Sequence, residues 1–297
     1  MFEWIDDSIG VHPDTAPVLC PANPSPPAPS TPANPQAAES SPENPPEPDP
    51  AQEEEDPAEF ARLRLGFHPD ETQSRVLRSD APRGILNCTR QWGKSTVAAA
   101  KAVHRAHTRP GSLVLVASPS ERQSGELVRK ASAMVRALGQ EPRGDGINTV
   151  SLLLQNGSRI VGIPGQPGPR SGDRVRGFAV SLLILDEAAF MDEEIYHALR
   201  PMLAATGGDL WMFSTPNGKQ GFFHHTWVYG TGWEKIAVPA TACPRISAAF
   251  LEDERDALGP VKFLQEYMCE FTERDDALFD QLLIEEAMDD TIPPLFP

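Results

Sequence analysis

The sequence predicts an α/β fold, a mainly parallel sheet flanked by helices, and three observations carry that expectation. Apolar runs of strand length recur near 84–88, 112–117, 180–185 and 209–214. Segments with helical spacing lie between them. One of the runs, Gly84-Ile85-Leu86, leads through a tight loop into Gly93-Lys94-Ser95 and then Val97-Ala98-Ala99-Ala100, which is the layout of a phosphate-binding loop.

Taken in order, the chain opens with an acidic, proline-rich tail over residues 1–59. Residues 1–57 hold 15 of the 31 prolines, and residues 1–60 hold 13 Asp/Glu with no Lys or Arg. Such a stretch has too little apolar surface to offset its ordering entropy and is expected to be disordered. It serves as a spacer or as a docking peptide, and nothing in it selects a partner. A globular region is expected over 60–245, followed by a helical region over 246–297 with helices near 247–290.

Phe67-His68-Pro69-Asp70-Glu71-Thr72-Gln73 leads into the loop. Two roles are open to Gln73. Its amide donates and accepts, so it can fold back on an adenine edge. It also stands three residues after Asp70, the spacing of a helix-capping pair.

The loop itself is Thr89-Arg90-Gln91-Trp92-Gly93-Lys94-Ser95-Thr96. Its backbone N–H groups and the positive end of its helix would face an anion. Lys94 would reach the β- and γ-phosphates of a nucleotide, and Ser95 would set its hydroxyl on Mg²⁺. The common form of the loop has Gly where this chain has Cys88. An ordinary helix start remains open on the loop alone.

Ser112–Ala117 reads as a buried strand, and Pro119 to Leu138 carries helical spacing. Asn156-Gly157 marks a hairpin over 150–163. The Gly- and Pro-rich run 165–177 carries Arg170, Arg174 and Arg176, a mobile loop or a set of forked donors for phosphate. The apolar strand before Asp186-Glu187 then ends in two adjacent carboxylates, costly to place there unless something pairs with them. In a P-loop ATPase the first holds Mg²⁺ and the second polarises the attacking water. Ser214-Thr215-Pro216 ends the next strand, either as a turn or as a sensor of the γ-phosphate. His224-His225 has no third ligand in sight and reads as surface.

Charge is uneven along the chain. Residues 61–251 hold 23 Lys/Arg against 15 Asp/Glu, although the whole chain is at −16. A basic middle suits a polyanionic partner. The four cysteines show no metal-ligand spacing, and Cys88 reads as a small packing residue. Neither a signal peptide nor a run of the ~20 apolar residues that span a bilayer is present, so a cytoplasmic location away from membranes is expected.

Together, Phe67-x-Pro69-x-x-x-Gln73, the 88–96 loop, Arg176-Gly177, Leu185-Asp186-Glu187-Ala188-Ala189 and Ser214-Thr215-Pro216-x-Gly218 resemble the ATPase half of large terminase subunits, the motors that package DNA into viral capsids. Phe263–Phe271 is similar to the segment that follows that half. The resemblance covers roughly 60–288 and implies a P-loop NTPase of the RecA-like (ASCE) kind, with ATP and Mg²⁺ as cofactors. It implies that Gln73 reads adenine, that Arg90 is a cis arginine finger, and that Ser214-Thr215-Pro216 couples hydrolysis to movement. Lys94 and Glu187 are then catalytic, and Ser95 and Asp186 hold the metal. The implied partners are double-stranded DNA, a portal protein, a small terminase subunit and further copies in a ring.

Members of this family usually continue into a nuclease domain with metal-binding aspartates on strands. No strand pattern surrounds Asp275, Asp276, Asp280, Glu285, Glu286, Asp289 or Asp290, so no nuclease activity is expected from this chain. Two other roles stay open: another nucleic-acid motor such as a helicase, and a remnant that binds nucleotide or partners without turnover.

Overall fold

The computed structural model describes residues 55–165 and 179–273. The acidic tail up to residue 54, the arginines at 170, 174 and 176, and the acidic residues from 275 onward lie outside the described residues.

Seven strands form one sheet: β1 (Arg83–Cys88), β2 (Leu113–Ser118), β3 (Ser151–Leu153), β4 (Arg159–Pro164), β5 (Leu182–Asp186), β6 (Asp209–Ser214) and β7 (Glu234–Val238). Their spatial order is β3-β4-β2-β5-β6-β1-β7. Of the described strands only β3 runs antiparallel, paired to β4 across the Asn156-Gly157 turn. The α/β class expected from the sequence is therefore the one observed. Two strands go beyond that expectation. β4 belongs to the parallel sheet beside β2, with Leu113 opposite Arg159, instead of merely adjoining it. β7 pairs with β1 at the far edge. As an edge strand it buries only Ile236 and Val238, so its sequence carries little apolar signal.

Side chains alternate between the two faces of the strands, and each face has its own apolar layer. Leu86, Val114, Val116, Leu182, Ile184 and Phe213 pack on one side against helices α3 (Lys94–Thr108) and α4 (Glu121–Ala137). Ile85, Leu115, Leu183, Leu185, Leu210 and Met212 face the other layer. That layer includes α5 (Glu193–Leu199) and α6 (Gly221–Tyr229). Both faces are covered, which is why these strands read as continuous apolar runs.

Two short helices precede the sheet. In α1 (Pro57–Leu63), Asp56 accepts from the Ala58 and Glu59 N–H groups, so the first turn lies on the tail side of the boundary expected at 59/60. Residues Glu71–Arg78 form α2. At the other end come α7 (Ala248–Leu258) and α8 (Pro260–Met268), packed through Leu251, Phe263 and Tyr267. None of the described helices is long and apolar enough to cross a membrane.

Trp211 locks the centre of the sheet. It is fully buried, donates from its indole to the Ala81 carbonyl at 3.2 Å, and carries the Lys101 ammonium 4.3 Å from its ring centroid. A Cβ on Gly84 would lie 2.5 Å from that ring. Either the ring or the strand must shift to admit it. Gly84→Ala is therefore expected to cost about 1–3 kcal/mol of stability by overpacking. Denaturant unfolding of the purified variant checks this, and an unchanged midpoint would show that the ring can shift.

Candidate nucleotide site

The parallel strands end on one edge of the sheet, and the loops that leave that edge are where α/β folds build their sites. β1 leaves at Cys88, β5 at Asp186 and β6, which lies between them, at Ser214. The order brings the 89–96 loop and the Asp186-Glu187 pair together from distant parts of the chain.

The loop is shaped by two residues of positive φ, Gln91 (64°) and Gly93 (99°). Such turns point successive N–H groups inward and make an anion-binding concavity. Its first residues are held from outside. Thr89 N–H donates to Val238 O at 2.9 Å, and Thr89 Oγ1 to Glu266 O at 3.3 Å. Trp92 is buried in the core on the α3 side, so only its backbone belongs to the loop surface. Cys88 is buried as well, and burial pushes its thiol far up, so it stays neutral. It packs as a small apolar residue.

Lys94 begins α3. Its ammonium lies 3.0 Å from Glu187 Oε1, and Ser95 Oγ donates to Asp186 Oδ2 at 3.1 Å. The other oxygen of each carboxylate, Asp186 Oδ1 and Glu187 Oε2, is buried with no hydrogen-bond partner among the described residues. Unpartnered buried carboxylate oxygens beside a serine hydroxyl fit a hard divalent cation such as Mg²⁺, which takes oxygen ligands. Glu187 also adopts a left-handed backbone, φ 58°, strained for a residue with a side chain. Burial first, and then the Glu187 charge, push the Asp186 carboxyl up to about 6, against the pull of Lys94 and Ser95.

A cavity of about 710 Å³ opens over this edge, within the range of small-ligand sites. Arg90, Gln91, Gly93, Lys94, Ser95 and Thr96 line it from the loop. Glu187, Phe190 and Thr215 line it as well, and so do Gln123 and Lys130 of α4. The last two carry no motif, and no signal in the sequence singles them out.

Several residues expected at the site do something else. Thr89 and Trp92 do not line the cavity, because their side chains anchor the loop. Both uses expected of the Gln73 amide compete, and capping is the one observed: Oε1 accepts from Asp70 N–H at 3.0 Å while Asp70 Oδ1 accepts from Gln73 N–H. Its Nε2 donates to Trp92 O at 2.9 Å. With each amide atom bonded and the side chain buried, Gln73 holds the loop and does not line the cavity. Arg245, which drew no attention in the sequence, donates to the same carbonyl and to Asp70 Oδ2. Arg90 faces the cavity, but its guanidinium is paired with the carboxylate of Glu266 on α8. Ser214 Oγ accepts from Ala189 N–H at 3.1 Å; Ser214, Thr215 and Pro216 are all buried, and of the three Thr215 alone lines the cavity. His224 packs on Phe271, ring centroids 4.8 Å apart.

Comparison with known proteins gives a consistent result. The family model "Terminase large subunit, T4likevirus-type, N-terminal" matches residues 85–286. The large terminase subunits of Thermus virus P23-45 and Thermus phage G20c are each 26% identical over 250 residues, 73% of this chain and 52% of theirs. The chain thus spans about half the length of the curated relatives it matches. Among solved structures, the large terminase ATPase domain of Thermus phage P74-26 has a TM-score of 0.61 at 23% identity, over 72% of this chain and 98% of that one. The large terminase of bacteriophage D6E in complex with ADP has a TM-score of 0.58 at 15% identity, over 69% and 54%. At these identities the structural likeness is one of fold.

The raised Asp186 carboxyl has a consequence for stability. The folded protein binds that proton more tightly than the unfolded chain, whose carboxyl stays near 3.8. Stability is therefore lost as pH rises from about 4 to 6, and Asp186→Asn should restore up to about 3 kcal/mol at pH 7–8. The gain should disappear below pH 4, where both states are protonated. Thermal unfolding of the ligand-free proteins across pH tests this, and equal melting temperatures at pH 7.5 would contradict it.

Proposed function

The chain belongs to the T4-like-virus-type large terminase subunit family, and on that premise we propose that it hydrolyses ATP with Mg²⁺ to move double-stranded DNA into a capsid. The convergence of Lys94, Ser95, Asp186 and Glu187 at one sheet edge is the observation that supports this best.

The loop N–H groups and the α3 N-terminus would hold the phosphates. Ser95 and Asp186 would hold Mg²⁺, which would supply neutralisation of the charge on the phosphates. Lys94 is bonded to Glu187 at 3.0 Å. Phosphates entering the loop compete for the same ammonium, and each hydrogen bond they win loosens Glu187. The freed carboxylate then orients and deprotonates the attacking water. The carboxylate that binds Lys94 is thereby kept for the moment when substrate is present.

A chain of contacts runs from this centre to α8. Ala189 is bonded to Ser214 and, through its carbonyl, to Asn217 Nδ2 at 3.2 Å. Gly218 N–H donates to Gln265 Oε1 at 3.2 Å, and the next residue, Glu266, holds Arg90. Arg90 must leave Glu266 before it can act as a finger on the γ-phosphate. In that case the Ser214-Thr215-Pro216 turn and α8 shift together as hydrolysis proceeds, which is a coupling of chemistry to movement.

The basic middle of the chain favours contact with the DNA backbone, which needs no base readout and weakens as salt rises. A portal protein, a small terminase subunit and further copies in a ring, all in the host cytoplasm, are the partners this function calls for.

ATP turnover measured with and without double-stranded DNA is the test, together with Glu187→Gln. That variant should still bind ATP and Mg²⁺ while turnover falls about 100-fold or more. Near-normal turnover would remove Glu187 from its role. Nucleotide binding by the unaltered chain without any hydrolysis would instead favour a silent binding module.

A further inference from the structure

Three cations line the cavity among the described residues: Arg90, Lys94 and Lys130. Two of them already face a carboxylate. Arg90 is paired with Glu266, and Lys94 with Glu187. For Lys130 no carboxylate of the described residues lies within ion-pair distance. The obvious candidate, Glu126, stands one turn earlier on α4, where an i,i+4 pair would form. It is held by Arg129 instead.

The position of Lys130 is fixed by the helix that carries it. Leu127, Ala131 and Val135 are fully buried against the sheet and set the rotation of α4. Gln123, two turns before Lys130 on the same face, lines the same cavity. The first phosphates of a nucleotide would occupy the loop at Gly93 and Lys94. The Lys130 ammonium, on the α4 side of the same cavity and without an ion-pair partner among the described residues, is the cation left for the phosphate at the end of the chain.

We propose that Lys130 contacts the terminal phosphate of a bound nucleoside triphosphate, and so lets the site distinguish triphosphate from diphosphate. The proposal rests on the nucleotide-site function given above. Lysine suits the task as a point charge on a flexible stem with three donors. A diphosphate leaves it without a partner.

The experiment titrates the full chain, with Mg²⁺ present, against ADP and against the non-hydrolysable β,γ-imido analogue of ATP. Lys130→Ala should weaken the analogue about 10-fold or more, the loss of one charge-assisted contact, while ADP changes by less than about twofold. Lys130→Arg should recover most of the difference, and melting temperatures should stay level, because the side chain makes no ion pair with any of the described residues. Equal weakening of both nucleotides, or none of either, overturns the assignment. Failure of the unaltered chain to bind either nucleotide overturns the nucleotide site as well, and is distinguishable from a Lys130 variant that behaves as wild type.

Discussion

Two adjacent carboxylates at the end of a fully buried strand are the constraint on which this structure depends. Asp186 closes β5 almost without exposure, and Glu187 follows in a strained backbone. Neither charge is tolerable there alone. The neighbouring strand order supplies the answer, because β6 and β1 bring the start of α3 alongside, and Lys94 and Ser95 are the first two residues of that helix. Each takes one carboxylate, and each leaves one oxygen over. What remains is a cluster whose two leftover carboxylate oxygens are buried without a hydrogen-bond partner among the described residues.

The loop that completes the site does not hold itself together. Its first residues hang on the end of β7 and on the last turn of α8, through Thr89 and the backbone of Arg90. Asn87 adds a bond from its side chain to Cys269 O at 2.8 Å. On the other flank Gln73 and Arg245 converge on the Trp92 carbonyl. The segment beyond the sheet is therefore part of the candidate site in a physical sense, and any displacement of α8 must be felt by Arg90. Reciprocally, whatever draws Arg90 into the cavity releases Glu266.

Gln73 shows how one side chain can satisfy two local rules of which only one is used. Its spacing from Asp70 and its place upstream of the loop were both legible; the cap took the amide oxygen and the Trp92 carbonyl the nitrogen. Trp92 and Thr89 show the converse, since they lie within the motif but face inward. A motif marks a stretch of backbone, and its side chains are free to serve the core.

The sequence by itself determined the α/β class, the four central strands, the α3 and α4 helices and the pair Lys94-Ser95 with Asp186-Glu187. Those features rest on local rules, namely apolar runs for strands buried on both faces, helical spacing, and a loop whose chemistry is carried by consecutive residues. Tertiary structure alone decided the rest. The edge strand β7 buries too few residues to be read as a strand. The pairing of Arg90 with Glu266, the use of Gln73, and the presence of Gln123 and Lys130 in the cavity depend on which elements lie side by side. Contacts between residues far apart in the chain have no period and no spacing, so they become visible only once the sheet order has placed their elements together.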